Sequence, residues 1–232
     1  LARAAEDLNN SSRPILLVGH GALLSGAHEA VMHLAEKANI PVTTTLLGKG
    51  AFPETHPLSV GMLGMHGTAY ANKAIQECDC IVSIGSRWDD RIIGNPSLFC
   101  PSAKKIHIDI DPAEKNKMLK VDHFILGDAK PIVEELIAQV RKLNTTGWIE
   151  KIQGWKKSFP LTYAKEDGLK SQQILQTLDE ITQSKAVIVT DVGQHQMWAA
   201  QFCKTLQPDH WLSSGGAGTM GFGLPAAIGA QM

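Results

Sequence analysis

The sequence predicts an α/β fold in which a doubly wound, Rossmann-like parallel sheet is followed by the truncated start of a second α/β domain. Short apolar runs, typical of strands buried on both faces, alternate five times with amphipathic helical segments over residues 1–143. Such alternation calls for parallel strands joined by right-handed crossovers. The pattern breaks at Asn144-Thr-Thr-Gly147, which places a domain boundary near residues 145–165.

The first elements follow from apolar periodicity and from turn residues. A helical pattern over 1–9 precedes a short apolar strand at 13–19. Ser25 is expected to cap a helix that runs to about residue 38, and the next strand is expected at 40–45. A loop rich in glycine and proline then leads to Gly61-Met-Leu-Gly-Met-His-Gly-Thr68, which we interpret as a glycine turn that begins a helix.

Three further strands complete the predicted first sheet, at 80–86, 105–111 and 121–126. Pro112 suits the first turn of a short helix, and an amphipathic helix is expected at 131–143. The second unit is expected to contain helices at 148–160, 171–182, from about 194 and at 224–230, with strands at 186–190 and 211–214. This unit buries too little to be stable alone, so we expect the rest of its domain to be absent.

Composition excludes several classes of protein. Hydrophobic residues make up 44% and charged residues 19% of the chain, as in globular proteins. The net charge is −1 and the sequence has no long basic run, so it does not predict a positively charged surface for binding nucleic acid or an anionic membrane. The four cysteines form no CxxC pair, so we expect reduced core thiols and a reducing compartment. No signal peptide or transmembrane stretch is visible, and both ends look cut.

Polar groups follow each predicted strand of the first sheet, at the edge where parallel sheets bind ligands. The segment Arg87-Trp-Asp-Asp-Arg91 can hold a phosphate or a ribose, although a solvated loop with a local ion pair would look the same. Asp111 and Asp128 suit ribose hydroxyls, or else they cap the helices that follow them. His66 can contact a flavin ring or a phosphate, or be a structural histidine. The Gly19-His-Gly21 turn lacks the third glycine of a dinucleotide fingerprint.

Two motifs in the second unit suggest another ligand. Asp191-Val-Gly-Gln-His195 lies between a strand and a helix, where backbone amides suit a diphosphate. Gly215-Gly-Ala-Gly-Thr-Met-Gly221 permits close approach of a flat ring, or a close helix–helix crossing. The sequence has no zinc-type spacing and no nucleophile elbow.

These motifs, with His107-Ile-Asp-Ile-Asp-Pro-Ala-Glu114, closely resemble the catalytic large subunits of acetolactate synthase, also called acetohydroxyacid synthase. The resemblance covers essentially the whole chain. It implies a central FAD-binding Rossmann-like domain at 1–145, a linker at 146–165, and the N-terminal part of a thiamine diphosphate domain at 166–232.

The resemblance also implies which residues contact the cofactors. Contacts with FAD are expected at Gly19, Gly21, Thr44, Leu46, Gly61, Met62, Leu63, His66, Gly67, Thr68, Gly85, Ser86, Arg87, Asp89, Asp90, Arg91, Asp109, Ile110, Asp111, Glu114, Gly127 and Asp128. Contacts with thiamine diphosphate are expected at Val192, Gly193, Gln194, His195, Gly218 and Met220. No metal ligand is assigned within the chain, because the family's Mg²⁺ motif is expected beyond Met232.

The implied reaction is decarboxylation of pyruvate and carboligation to a second 2-keto acid, pyruvate or 2-oxobutanoate, in branched-chain amino-acid biosynthesis. The glutamate that activates the coenzyme is expected in a preceding domain, so no catalytic residue is assigned here and the chain alone is expected to be inactive. Family members are homodimers or larger assemblies, some with a regulatory small subunit. The expected location is the cytoplasm, or a plastid or mitochondrion in a eukaryote.

Two alternatives remain open at this level. One is another thiamine diphosphate and FAD enzyme, of the glyoxylate carboligase or pyruvate oxidase type, because these share parts of the last motif. The other is a non-catalytic nucleotide-binding module. The motifs at 191–198 and 213–227 argue against a simple module, which would not need a second cofactor cradle.

Overall fold

A computed structural model describes residues 1–164 and 168–232. In the first part of the chain the elements are α1 (Ala2–Asn9), β1 (Pro14–Val18), α2 (His20–Leu24), α3 (His28–Ala38), β2 (Val42–Thr44), β3 (Ser59–Met62), α4 (Ala69–Glu77), β4 (Cys80–Ile84), α5 (Asp90–Ile93), β5 (Lys104–Asp109), β6 (His123–Leu126), α6 (Ala129–Gln139) and α7 (Thr146–Ser158). The later elements are α8 (Ser171–Thr182), β7 (Ile188–Thr190), α9 (Gln194–Phe202), β8 (Trp211–Ser213) and α10 (Gly223–Gln231). Short 3₁₀ helices lie at Leu46–Gly48 and Pro112–Glu114.

The first six strands form one parallel sheet in the order β3-β2-β1-β4-β5-β6. The chain moves outward in one direction from β1 to β3 and then in the other direction from β4 to β6. The switch therefore lies between β1 and β4, and this doubly wound order confirms the predicted fold class.

Helices cover both faces of this sheet. Alternate residues of β1 point to opposite sides, so Leu16 and Val18 belong to one core cluster while Ile15 and Leu17 belong to the other. The first cluster is completed by α1, α3 and α6, and the second by α4 and α7. Because β1 is buried along its whole length, its sequence reads as a continuous apolar run rather than an alternating one.

Strand β3 was not predicted, because its residues were assigned to the glycine and proline-rich loop and the following turn. The strand contains Gly61 at φ +76°, and its pairing with β2 shifts register between Val42 and Thr43. The Thr43 hydroxyl donates a 2.7 Å hydrogen bond to the Gly61 carbonyl oxygen at this irregularity. A glycine-containing edge strand gives a weak sequence signal.

The prediction that Ser25 caps the following helix is wrong. Residues 20–38 form two helices, and α3 begins after Ala27 without a side-chain cap. The hydroxyl oxygen of Ser25 instead accepts a 2.8 Å hydrogen bond from the backbone amide of Lys130, at the start of α6. The side chain thus ties two helices together rather than beginning one.

The four cysteines are free and buried, as predicted. Burial is the first cause of a raised pKa at Cys80, which reaches about 12, and at Cys203, which reaches about 11. These two thiols are therefore protonated at neutral pH.

Helix α7 packs on the first sheet although it follows the break in the sequence pattern. Trp148 and Ile152 are buried in the second core cluster, and the Trp148 indole N–H donates a 3.0 Å hydrogen bond to the Pro14 carbonyl oxygen. Most of the segment predicted as a linker, 146–165, is thus a helix held against the first unit. The proposed limit between 165 and 166 lies outside the described residues.

The second unit has its own parallel sheet, formed by β7 and β8. The chain from residue 191 onward therefore does not extend the first sheet. Several large apolar side chains on this unit are exposed, including Ile181 and Leu224. Within residues 1–164 and 168–232, no helix combines the length and the apolar character needed to cross a membrane.

Candidate functional site

A cavity of about 1160 Å³ lies at the carboxyl edge of the six-stranded sheet. Its walls come from the loops after all six strands and from two segments of the second unit, at 192–197 and 214–218. A cavity of this size holds a cofactor-sized molecule. Its position, at the edge and at the switch point, is where open parallel sheets bind ligands.

The floor of the cavity is formed at the switch point by Gly21 and Gly85, with Gly19 packed beneath them. The Gly21 amide donates a 3.0 Å hydrogen bond to the Gly85 carbonyl oxygen. A Cβ atom on Gly19 would lie 2.2 Å from that same oxygen. The loops after β1 and β4 therefore touch through their backbones, and side chains are excluded from the space between them.

The glycine-rich segment of the second unit approaches the first unit in the same way. A Cβ atom on Gly215 would lie 2.9 Å from Leu47, and one on Gly216 would lie 2.9 Å from an Arg87 guanidinium nitrogen. Arg87 thus reaches from the end of β4 to the opposite wall of the cavity. The density of glycine at 215–218 allows this close contact between the two units.

The segment from Arg87 to Arg91 lines the cavity except at Trp88, which is buried in the core, and Asp90, which is exposed to solvent. Arg87, Asp89 and Arg91 line the cavity, whereas Trp88 is 2% exposed and packs edge-on against Phe99 and His107. Trp88 has φ +55°, an uncommon conformation for a bulky residue. This turn directs the Trp88 side chain into the core and leaves the charged groups beside it at the cavity wall.

His107 links two neighbouring strand ends. Its Nε2 lies 2.8 Å from the Ser86 carbonyl oxygen and 3.5 Å from an Asp109 carboxylate oxygen. Burial alone raises the pKa of the Asp109 carboxyl group, but hydrogen bonds from His107 and from the backbone amides of Asp111 and Ile110 outweigh it, so the pKa lies below its usual value. Asp109 is therefore an anion at the cavity wall at neutral pH.

Several buried polar atoms at this edge have no hydrogen-bond partner among the residues that the structure describes. They are Thr44 Oγ1, Ser86 Oγ, Asp89 Oδ1 and Glu114 Oε2. Ser86, Asp89 and Glu114 line the cavity. Buried polar groups without partners are rare in proteins, and a ligand rich in hydroxyl and phosphate groups would satisfy them.

Most residues predicted to contact FAD line the cavity. These are Gly21, Leu46, Met62, Leu63, His66, Gly85, Ser86, Arg87, Asp89, Arg91, Asp109, Ile110, Asp111, Glu114, Gly127 and Asp128. The Asp111 carboxylate also accepts a 2.8 Å hydrogen bond from the Ala113 amide and so caps the helix after it, whereas Asp128 makes no such bond with α6.

The other predicted FAD residues lie behind the cavity or face away from it. Gly19 lies under the floor, Thr44 and Gly61 lie within strands, and the Gly67 position is enclosed by the backbone of Met62 and Leu63.

The two remaining residues predicted to contact FAD, Thr68 and Asp90, have other roles. The hydroxyl oxygen of Thr68 accepts a hydrogen bond from the Ala71 amide and so caps α4. The Asp90 side chain is largely exposed and lies 3.8 Å from Arg91. Neither residue lines the cavity.

Some of the residues predicted to contact thiamine diphosphate line the cavity, and others do not. Val192, Gly193 and Gly218 line the cavity. Gln194, His195 and Met220 do not, and Met220 is 81% exposed. These assignments stay predictions, since the position of a residue at the cavity wall does not identify its ligand.

Gly193 has φ +157° and immediately precedes α9. Since Gly193, Gln196 and Met197 line the cavity, the first turn of this helix faces it. The amides of a helix N-terminus favour an anion. The Gln196 side chain fixes this turn by donating hydrogen bonds to the Ser213 hydroxyl oxygen at 2.7 Å and to the Ser214 carbonyl oxygen at 2.8 Å.

Asp191 holds the glycine-rich segment next to this helix. Its carboxylate accepts hydrogen bonds from the backbone amides of Val192, Gly223 and Gly221, which lower its pKa below the usual value. Asp191 therefore acts as a clamp on residues 221–223 rather than as a free ligand group.

Sequence reasoning missed part of the cavity wall. The additional lining residues are His20, Leu24, Ser25, Thr45, Leu47, Met65, Ile92, Ile108, Ala129, Gln196, Met197 and Ser214, whereas Gly215 and Gly216 belong to the segment already predicted to admit a flat ring. Many adjoin a predicted residue, so including the neighbours of each strand end would have found them. Met197 carries no such signal, because an apolar residue at a cavity wall looks like a core residue in the sequence.

Comparisons with known proteins agree with this geometry. Residues 1–136 match the family model of the thiamine pyrophosphate enzyme central domain. Residues 191–232 match the C-terminal TPP-binding domain of thiamine pyrophosphate enzymes. Thiamine pyrophosphate is another name for thiamine diphosphate.

Among curated proteins, the chain is similar to acetolactate synthase large subunits. It is 46% identical over 237 residues to that of Parasynechococcus marenigrum, with 100% of this chain and 38% of the relative covered. It is 47% identical over 242 residues to a probable one of Methanocaldococcus jannaschii, covering 100% and 41%. It is 48% identical over 233 residues to that of Cyanidium caldarium, covering 97% and 40%. The chain thus spans about two fifths of the length of these relatives.

Proposed function

The chain belongs to the thiamine pyrophosphate enzymes, and from this premise we propose that the protein containing it is an acetolactate synthase large subunit. The proposed reaction decarboxylates pyruvate and joins the remaining two-carbon unit to pyruvate or 2-oxobutanoate. The observation that carries the proposal is the identity of 46–48% with acetolactate synthase large subunits over nearly all of this chain. Residues from the motifs at 61–68, 87–91, 107–114, 191–198 and 213–227 line one cavity, which supports a common site.

Thiamine diphosphate, which supplies the electron sink for decarboxylation, fits the residues of the second unit. The first turn of α9 offers backbone amides to a diphosphate, and Gly193, which precedes this turn, lines the cavity. A Cβ atom on Gly218 would lie 3.0 Å from Val192, so this position accepts only glycine without movement of its neighbour. The role of these residues is to orient the coenzyme against the first unit.

We also propose that FAD lies along the carboxyl edge of the six-stranded sheet. The glycine floor at Gly21 and Gly85 permits close approach of a diphosphate or a flat ring. Asp109 and Glu114 supply carboxylate oxygens suited to ribose hydroxyls, and Arg87 supplies a cation suited to phosphate. The partnerless oxygens of Ser86, Asp89 and Glu114 support a polar ligand here.

Mg²⁺ is proposed as the third cofactor, with its protein ligands expected in the part of the protein beyond Met232. Within the described residues, no group of three or more histidine, cysteine, aspartate or glutamate side chains is arranged to hold a metal ion.

The proposed assembly is a homodimer or a larger homo-oligomer, with a regulatory small subunit as a further partner. Gel filtration with light scattering of the full-length protein tests the assembly.

The test of function uses the full-length protein with thiamine diphosphate, Mg²⁺ and FAD. The expected result is formation of acetolactate from pyruvate and of acetohydroxybutyrate when 2-oxobutanoate is added, with a flavin spectrum in the purified protein. Condensation of glyoxylate without acetolactate formation would favour the glyoxylate carboligase alternative. Release of acetate or acetyl phosphate from pyruvate with reduction of the flavin would favour the pyruvate oxidase alternative.

A further inference from the structure

Lys49 is a fully buried cation that the proposed chemistry does not use. It lies in the loop between β2 and β3, and its side chain is 0% exposed. A lysine without solvent contact is rare and is retained only where other groups satisfy its charge. Its surroundings therefore indicate what it does.

The partners of Lys49 lie mainly at the C-terminus of α9. Its ammonium group forms an ion pair with Glu54 and donates hydrogen bonds to the carbonyl oxygens of Ala200 at 3.1 Å and Cys203 at 3.3 Å. It also lies 5.3 Å from the centroid of the Trp211 ring. A cation at this end of a helix interacts favourably with the last carbonyl groups.

Glu54 strengthens the same junction from the other side. Its carboxylate accepts a 2.7 Å hydrogen bond from the Thr205 amide, and its own amide donates a 3.2 Å hydrogen bond to the Thr205 carbonyl oxygen. A Cβ atom on Gly50 would lie 2.5 Å from the Gln207 carbonyl oxygen. The loop and the segment after α9 are thus in direct backbone contact.

Both ends of this arrangement reach the cavity. The loop carries Thr45 and Leu47 at the cavity wall, and at the opposite end of α9 the wall includes Gln196 and the preceding residue Gly193. A further hydrogen bond of 2.8 Å runs from the Gln201 side chain to the His66 carbonyl oxygen. Because a helix is stiff, fixing its C-terminus also fixes the position of its first turn.

We propose that Lys49, paired with Glu54, is a positioning residue that holds α9 so that its first turn presents its amides to thiamine diphosphate. The inference rests on the proposed function. Stability alone does not explain the Lys49–Glu54 pair, because buried ion pairs add little stability compared with apolar side chains of similar volume. Directional hydrogen bonds from Lys49 to two carbonyl oxygens, in contrast, fix the position of the helix end.

The test uses the full-length protein and measures cofactor affinity rather than turnover. The informative variant is Lys49→Met with Glu54→Gln, which removes the cation without leaving a buried unpaired carboxylate and keeps an oxygen for the Thr205 amide. Lys49→Arg is the conservative variant. Lys104→Met is the matched control, because it removes a lysine–aspartate ion pair at the opposite edge of the sheet.

We expect the dissociation constant of thiamine diphosphate to rise roughly five- to tenfold in the double variant. The dissociation constant of FAD should stay close to that of the wild type, whereas the melting temperature should fall by a few degrees because the Ala200 and Cys203 carbonyl oxygens lose their donor. Lys49→Arg should lose less thiamine diphosphate affinity than the double variant, and Lys104→Met should bind thiamine diphosphate as the wild type does. In hydrogen–deuterium exchange, the amides of Gln196 and Met197 should exchange faster in the double variant.

An unchanged thiamine diphosphate affinity in a folded double variant would overturn the inference while leaving the proposed function intact. Equal loss of FAD and thiamine diphosphate affinity would also overturn it, because it would indicate a general disturbance of the fold. If the wild-type protein binds no thiamine diphosphate, both the inference and the proposed function fail.

Discussion

The backbone amide of Gly21 donates a hydrogen bond of 3.0 Å to the carbonyl oxygen of Gly85, and this bond joins the loops after the two central strands of the sheet. Gly85 has φ +60°, and a Cβ atom on it would lie 2.6 Å from the Gly21 Cα atom. Neither loop can move away without opening the floor of the cavity. The contact therefore requires glycine on both sides.

Gly85→Ala should destabilise the protein by about 1–3 kcal/mol, because it combines an unfavourable φ with a steric overlap against backbone. FAD affinity should fall at least roughly tenfold, as the floor must shift. Urea unfolding and flavin titration measure the two effects. Gly26→Ala is the matched control, since Gly26 has φ +64° but its Cβ would meet nothing within 4 Å. Equal losses in the two variants would contradict the proposed overlap.

His107→Gln should raise the pKa of Asp109, because the variant loses the imidazole hydrogen bond that helps to hold this pKa below its usual value. A lowered pKa in the folded state gives stability that is present above the unfolded value of about 3.9 and is lost as pH falls through the folded value. The wild-type protein should therefore keep this stability to lower pH than the variant. Carbon-13 NMR titration of the Asp109 carboxyl group measures the shift directly.

The corresponding control is Asp122, whose pKa is lowered by hydrogen bonds from Lys105 and Lys104 instead. Its titration should be the same in the wild type and in His107→Gln. An unchanged Asp109 titration would show that His107 does not control this carboxylate.

Trp88→Phe should change the free energy of unfolding by less than about 1.5 kcal/mol, whereas Trp88→Ala should cost about 3–5 kcal/mol. Phenylalanine keeps the edge-on contacts with Phe99 and His107, and it removes an indole N–H that has no hydrogen-bond partner in the described part of the chain. Alanine leaves a cavity beneath the Arg87–Arg91 segment. Denaturant unfolding measures both variants, and similar costs would contradict a packing role for the ring.

Asp191→Ala should release the glycine-rich segment at 221–223, because the carboxylate accepts hydrogen bonds from the amides of Gly221 and Gly223. Hydrogen–deuterium exchange at these two amides should become faster, and thiamine diphosphate affinity should fall. Glu134→Ala, which removes an exposed carboxylate on α6, is the control and should leave both measurements unchanged. Unaltered exchange in Asp191→Ala would show that other contacts hold the segment.

The sequence predicted those parts of the fold and site that depend on local pattern. The strand containing Leu16 is a continuous apolar run, and the groups that follow parallel strands converge on one edge, so the sequence predicts a common site for Asp109 and Gly85. Strand β3 was missed because Gly61 breaks the pattern of a strand.

Tertiary contacts account for the rest. Lys49 lies in a glycine- and proline-rich loop in the sequence, and only the folded chain buries it against the end of α9. Ser25 looked like a helix cap because serine at a helix start usually is one, but its partner is the distant amide of Lys130. Neither outcome follows from neighbouring residues.

The packing of α7 bears on how this protein can be divided into pieces. A first unit cut after residue 145 would lose Trp148 and Ile152 from one face of the sheet and would leave the Pro14 carbonyl oxygen without its indole donor. The apolar surface uncovered in this way favours aggregation. A soluble fragment of the first unit should therefore extend at least to Ser158.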